Sequence, residues 1–257
     1  MPRLTDKIAV ITGGGQGIGR AIALAYSREG AVVVLASRNE EKLHETRLMI
    51  EKDGGAALVL PTDVRDAEQV QALVKTIINT YGRIDILVCN AGIAGPTAPL
   101  WEISPQQWEE TLSTNLTGPY LLCAAALPAM VEHKEGNIIF IGSGIGKKPL
   151  PGRTPYAASK LGLVGLARTL AHDAGPYNIR VNVISPGPTD GERLQKVFEK
   201  QAAIRNVSVE AVRAMATRDS AMKRFVVAED VANAAVFLAS DEARYISNVD
   251  LDVSAGL

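Results

Sequence analysis

Seven short apolar runs rich in valine and isoleucine, at 8–11, 32–36, 58–60, 84–89, 138–141, 181–184 and 249–253, alternate with longer segments of helical period. Runs that are apolar at nearly every position suit strands buried on both faces. Strands separated by helices pair in parallel, because each helix carries the chain back to the starting edge of the sheet. The pattern predicts an α/β fold, a doubly wound, mostly parallel sheet of seven strands with helices on both faces and right-handed crossovers. A chain of 257 residues without repeat or linker fits one domain, 1–257. The rhythm breaks at 190–224, a long, mostly helical insertion that we read as a lid over a substrate. Sheets of this kind bind ligands outside the carboxyl ends of their strands, so the residues that follow each run carry the functional interest.

Composition narrows the partners. Hydrophobic residues make up 47% and charged residues 21%, with a net charge of −1, so neither disorder nor electrostatic attraction to nucleic acid is supported. Cys89 and Cys123 lie in apolar stretches and read as buried thiols. His44, His133 and His172 are far apart and lack neighbours at ligand spacing, so no metal site is expected. The start of the chain has no signal-peptide pattern and no segment has transmembrane length, which leads us to expect a cytoplasmic protein with no membrane partner.

The first run leads into Thr12-Gly13-Gly14-Gly15-Gln16-Gly17-Ile18-Gly19, ahead of a helix over 18–28. Glycines here allow a tight turn and let backbone approach a pyrophosphate, while the helix N-terminus offers N–H donors and positive dipole. A merely flexible turn is the plainer alternative; the position between strand and helix favours the nucleotide. The second run ends in Ala36-Ser37-Arg38-Asn39. A carboxylate at this point would accept from the adenosine ribose and repel a 2'-phosphate. A hydroxyl and a guanidinium suit that phosphate instead, so NADP(H) is expected over NAD(H). Read structurally, Arg38 is a solvated charge and Asn39 an N-cap ahead of Glu40 and Glu41.

Tyr156 and Lys160 are four apart near the start of a helix running to about 174, which puts them on one face a turn apart. A phenol of pKa near 10 is a poor base at neutral pH. An ammonium about 4 Å away is worth up to roughly 4 kcal/mol at an effective dielectric of 20, or about three pKa units toward phenolate. Tyr156 thereby becomes a usable acid/base. Ser143, just past the run 138–141, can donate to a substrate oxygen and hold it against the phenol. Any one of these residues alone is commonplace on a protein surface; their order and spacing together are not.

With these motifs the chain resembles, over nearly its whole length, the compact, Rossmann-type branch of the short-chain dehydrogenase/reductase family. The matching residues are the glycine turn with spacing T-G-x-x-x-G-x-G, Asp63 in P-T-D-V, Asn90-Ala91-Gly92, Asn115 in N-L-T-G, Ser143, Tyr156 with Lys160, and Pro186-Gly187. The resemblance implies that Gly13, Gln16, Gly17, Ile18 and Gly19 line the cofactor together with Ser37, Arg38, Asn39, Asn90, Ala91, Gly92, Pro186 and Gly187. It also implies that Asp63 and Val64 meet the adenine, and that Lys160 holds the nicotinamide ribose. Asn115 is implied to bend its helix and to hold a water linking Lys160 to solvent. Hydride transfer on the pro-S face and a homotetramer are implied as well. Two positions depart from the pattern. Gly191 stands where a threonine is frequent, with Thr189 as the nearest substitute, and Ile246-Ser247-Asn248-Val249-Asp250 replaces a glycine-containing turn.

The expected reaction interconverts a carbonyl and a secondary alcohol with NADP(H), with Tyr156 and Ser143 meeting the substrate. A polyol, sugar or cyclic-alcohol dehydrogenase using NAD(H), a non-catalytic redox sensor and a purely structural subunit are the alternatives. The insertion holds eight Lys/Arg against five Asp/Glu, a surplus of three that reads as a solvated helical face before it reads as a site for an acidic substrate. Trp101 and Trp108 read either as a cover for a neighbouring subunit's pocket or as packing at a helix start.

Overall fold

The computed structural model describes residues 2–218 and 220–257, so Asp219 of the insertion lies outside the described residues. Seven strands, β1 (Ile8–Thr12), β2 (Val32–Ser37), β3 (Ala57–Pro61), β4 (Ile86–Cys89), β5 (Gly136–Ile141), β6 (Ile179–Pro186) and β7 (Asp250–Val253), form one sheet in the order β3-β2-β1-β4-β5-β6-β7. Every pairing is parallel. The order reverses between β1 and β4. That crevice, open at the carboxyl ends, is where a doubly wound sheet takes its ligand.

The near-continuous apolar strands are explained by burial on both faces. Val10, Leu87, Ile138 and Phe140 turn to one side, against α3 (Ala67–Tyr81), α5 (Gly118–His133) and α6 (Thr154–Ala174). Their neighbours Ala9, Ile11, Val88, Ile139 and Ile141 turn to the other, against α1 (Gly17–Arg28), α2 (Glu40–Lys52) and α9 (Ala228–Ala239). Between α4 (Pro105–Leu112) and α5 the helix widens into a π turn at Ser113–Thr117, with Asn115 inside it.

Two strands begin later than the apolar runs read from the sequence. β4 begins at Ile86; just before it the buried carboxylate of Asp85 accepts from the Ile8 amide (2.7 Å) and from Arg83. The last strand begins at Asp250, after Asn248 adopts φ 65 and supplies the left-handed turn for which the family pattern has glycine. Asparagine tolerates that conformation better than most residues. The segment 190–224 folds as α7 (Glu192–Arg205) and α8 (Val209–Arg218), which pack Phe198, Ala202 and Val212 into a small cluster of their own.

Candidate active site

At the carboxyl ends of the strands lies a cleft of about 1590 Å³, lined by the glycine turn, by Ser37, Arg38 and Asn39, by Asn90 to Gly92, and by Ser143, Tyr156 and Lys160. Pro186, Gly187, Thr189 and much of α7 close its other side. All but one of the sequence-predicted site residues line this cleft; Asn115 lies just behind it, completely buried.

The glycine turn is shaped by close approach. Gly13 has φ 68, and a Cβ on Gly19 would lie 2.2 Å from the Gly13 carbonyl oxygen. Only glycine lets α1 begin this near the strand, which leaves its N-terminus facing the cleft as an anion cradle. Thr12 stitches the neighbouring loop to the turn: its Oγ accepts from the amides of Asn90 and Ala91, both at 3.0 Å. Asn90 in turn donates from Nδ2 to the Thr12 carbonyl at 2.8 Å.

At the end of β2, Asn39 caps α2 by accepting from the Lys42 amide at 3.0 Å, so the capping role read from the sequence is present. Lys42, which the sequence reading passed over, donates from Nζ to Gln16 Oε1 at 2.6 Å and brings a second cation to the rim beside Arg38. Its signal was its place one turn into the helix that Asn39 caps. No carboxylate stands at the end of β2. The set of donors (backbone amides, Ser37, Arg38, Lys42) fits a dinucleotide carrying an extra phosphate on the adenosine ribose. Asp63 is already engaged: its carboxylate accepts from Arg65, which holds it below the usual carboxylate range, and its amide donates to Gln69 Oε1 at 2.9 Å. Val64 is buried against Gly118.

The reactive end is built on α6. Lys160 is 5% exposed and donates from Nζ to the Ile141 carbonyl at 2.7 Å; the ammonium stands 5.8 Å from the centre of the Tyr156 ring. Burial pushes the half-buried phenol up, but Arg193, Lys160, Ser143 and Arg153 together outweigh it, and Tyr156 lies below the usual value of 10.0. Burial also holds Lys160 below its ordinary value, with Tyr156 opposing. Ser143 stands in extended backbone past β5, its Oγ accepting from the Ile145 amide at 3.3 Å. Asn115 clamps the floor: Oδ1 accepts from the Ile93 amide at 2.8 Å, and Nδ2 donates to the Ile93 carbonyl at 3.0 Å and to Ser159 Oγ at 3.1 Å. The bend implied for Asn115 by family resemblance is thus present as a π turn, locked to the Asn90–Ile93 loop and to α6.

Thr189 is not free to copy the missing threonine directly, since its hydroxyl donates to the Gly187 carbonyl at 3.1 Å; Gly191, at φ 148, faces open space. Trp101 is 86% exposed and lines no part of the cleft. Cys89 and Cys123 are buried free thiols. Among the described residues no group of three or more His, Cys, Asp or Glu side chains could hold a metal ion, and no helix is long and apolar enough to cross a membrane.

The short chain dehydrogenase family model matches residues 7–202. A 3-oxoacyl-(acyl-carrier-protein) reductase of Thermotoga maritima is 34% identical over 257 residues, covering 99% of each chain. Among solved structures, an NAD+-bound xylitol dehydrogenase superposes with a TM-score of 0.96 at 28% identity, covering 99% of this chain and 100% of that one. An actinorhodin polyketide ketoreductase variant with NADPH superposes with a TM-score of 0.94 at 32% identity, covering 98% of this chain and 97% of that one. From the family match over most of its length, and from relatives that share the whole chain, the protein belongs to the short-chain dehydrogenase family and is an oxidoreductase.

Proposed function

We propose that the protein interconverts a small carbonyl compound and a secondary alcohol with NADP(H), Tyr156 exchanging the proton. The observation that carries this reading is the junction of Tyr156, buried Lys160 and Ser143 in one cleft with the glycine turn. NADP(H), when bound, supplies or takes the hydride. The chain's residues do the rest. Ser143 donates to the substrate oxygen and sets it against the phenol, Tyr156 gives or takes the proton at that oxygen, and Lys160 favours the phenolate and orients the ribose. Asn115 keeps Ile93 and α6 in register beneath them. Orientation and a preformed electrostatic environment provide most of the rate advantage.

Ser37, Arg38 and Lys42, with no carboxylate at the end of β2, support the phosphorylated cofactor, as does the NADPH in the ketoreductase neighbour. The NAD+ of the xylitol dehydrogenase neighbour supports a second reading, an NAD(H)-dependent polyol dehydrogenase. Helices α7 and α8 serve as the lid within a single catalytic domain. The exposed apolar side chains Tyr120 and Leu161 on α5 and α6, with Tyr245 and Val249 beside β7, support assembly as a homotetramer. The test follows absorbance at 340 nm with NADPH and with NADH against a panel of ketones, 3-oxoacyl thioesters and polyols, in both directions. Turnover with NADPH at a kcat/KM at least tenfold above that with NADH is expected. Failure of every carbonyl and alcohol overturns the enzymatic reading, and preference for NADH overturns the cofactor reading.

A further inference from the structure

Three cations converge on the Tyr156 ring. Lys160 is accounted for by the chemistry above; Arg153 and Arg193 are not. The Arg153 guanidinium carbon lies 5.0 Å from the ring centre and that of Arg193 lies 5.7 Å away. Both residues line the cleft. Arg153 occupies the N-cap of α6, a position where small oxygen-bearing side chains are favoured and where a positive charge opposes the helix dipole. From there, three residues before Tyr156, it shares the phenol's helix face.

Its surroundings are unfavourable for a cation. Arg153 is 4% exposed, Nη1 donates to Thr97 Oγ1 at 2.9 Å, and Nε is buried with no partner. Burial pulls its pKa down, as does Arg193, and only the Tyr156 phenol opposes them; no carboxylate does. Arg193 reaches over the ring from the first turn of α7, and no ion pair among the described residues involves either arginine. A buried, unpaired guanidinium such as that of Arg153 is costly unless a ligand completes it, and Arg193, which is exposed, stands where it meets the same ligand. By contrast Lys147, on the same loop as Arg153, is matched by Asp250 at 3.0 Å and Asp252 at 2.6 Å. No such carboxylate stands beside Arg153.

We propose that Arg153 and Arg193 form the anion-binding half of the substrate site, so that the preferred substrate is a short keto acid or hydroxy acid whose carboxylate or sulfonate lies close to the reacting carbon. A planar guanidinium pairs with such a group through two parallel hydrogen bonds, which fixes the carbonyl relative to Ser143 and Tyr156 as well as binding it. This rests on the redox reading for its substrate, but the anion site itself is measurable without turnover.

The experiment has two arms. In the first, kcat/KM with NADPH is compared for acetoacetate, acetonylsulfonate and acetoacetamide, small methyl ketones that differ in head group, in wild type, R153Q and R193Q. The charged ketones should exceed the amide by about 100-fold, the gain expected of a well-formed charged pair, and the ratio should fall at least tenfold in each variant. In the second, malonate, which cannot be reduced as a ketone, is titrated calorimetrically against malonamide into wild-type, R153Q and R153K protein, with and without NADPH. Malonate alone should bind, R153Q should lose it, and R153K should retain it weakened. Equal kcat/KM for acid and amide, a ratio unchanged by both substitutions, or identical malonate heats in wild type and R153Q each overturns the anion site. A rise confined to the KM for NADPH in R193Q assigns that arginine to the cofactor and overturns its part. Arginine-dependent malonate binding without reduction of any ketone supports the anion site while the redox reading fails.

Discussion

Tyr156 is a phenol whose charged neighbours are all positive, and its behaviour with pH follows from that. With Tyr156 as the proposed base in alcohol oxidation, the rate rises as pH climbs through the folded-state pKa and flattens above it. Because that pKa lies below 10.0, the midpoint of the rising limb should lie below pH 10. Arg193→Gln removes a cation that favours phenolate and should move the limb to higher pH; a limb that moves down instead contradicts the assignment. Tyr156→Phe should reduce kcat by between about 10²- and 10⁴-fold while NADPH still binds, as followed by cofactor fluorescence. At the other end of the cleft, Arg38→Leu should raise the KM for NADPH about tenfold or more and leave that for NADH within a few-fold, since it removes one charge-assisted contact with the 2'-phosphate.

At the scale of elements, one buried amide couples three of them. Asn115 spends its side chain on Ile93 and Ser159, so Asn115→Leu leaves the Ile93 amide and carbonyl without their partners. About 1–3 kcal/mol of stability should be lost, read by urea denaturation, together with a fall in kcat because Lys160 and the Asn90–Ile93 loop lose their common anchor. Gly19→Ala tests the other junction. A Cβ 2.2 Å from the Gly13 carbonyl forces α1 away from the turn, so NADPH affinity should drop along with the melting temperature. The glycine spacing was legible in the sequence because backbone sterics are local. The clamp by Asn115 was not, since Ile93 is 22 positions away and a mid-helix amide carries no local signature.

Across the whole molecule, α7 and α8 stand apart from the two sheet-backed cores and hold a small cluster of their own. A segment with so little buried apolar surface opens at low free-energy cost. Hydrogen exchange in 192–218 should therefore be fast in the free protein and slow on adding NADPH with a ketone, while β4 to β6 stay protected throughout. Exchange in 192–218 that is unmoved by ligand argues against a lid.

The seven apolar runs, the glycine turn and the Tyr156–Lys160 spacing were settled by the sequence itself, because periodicity, backbone sterics and helix geometry act within a few residues. What the tertiary structure decided are the relations across the fold. Asp85 on the Ile8 amide, Lys42 on Gln16, Asn248 in place of a glycine, and above all Arg193 carried from α7 to within 5.7 Å of the phenol's ring centre are such relations. The surplus of positive charge in 190–224, read from composition as a solvated face, is mostly exposed in the fold, but Arg193 lies over the phenol. A charge's worth depends on what it faces and how much water remains around it, and both are properties of the folded chain.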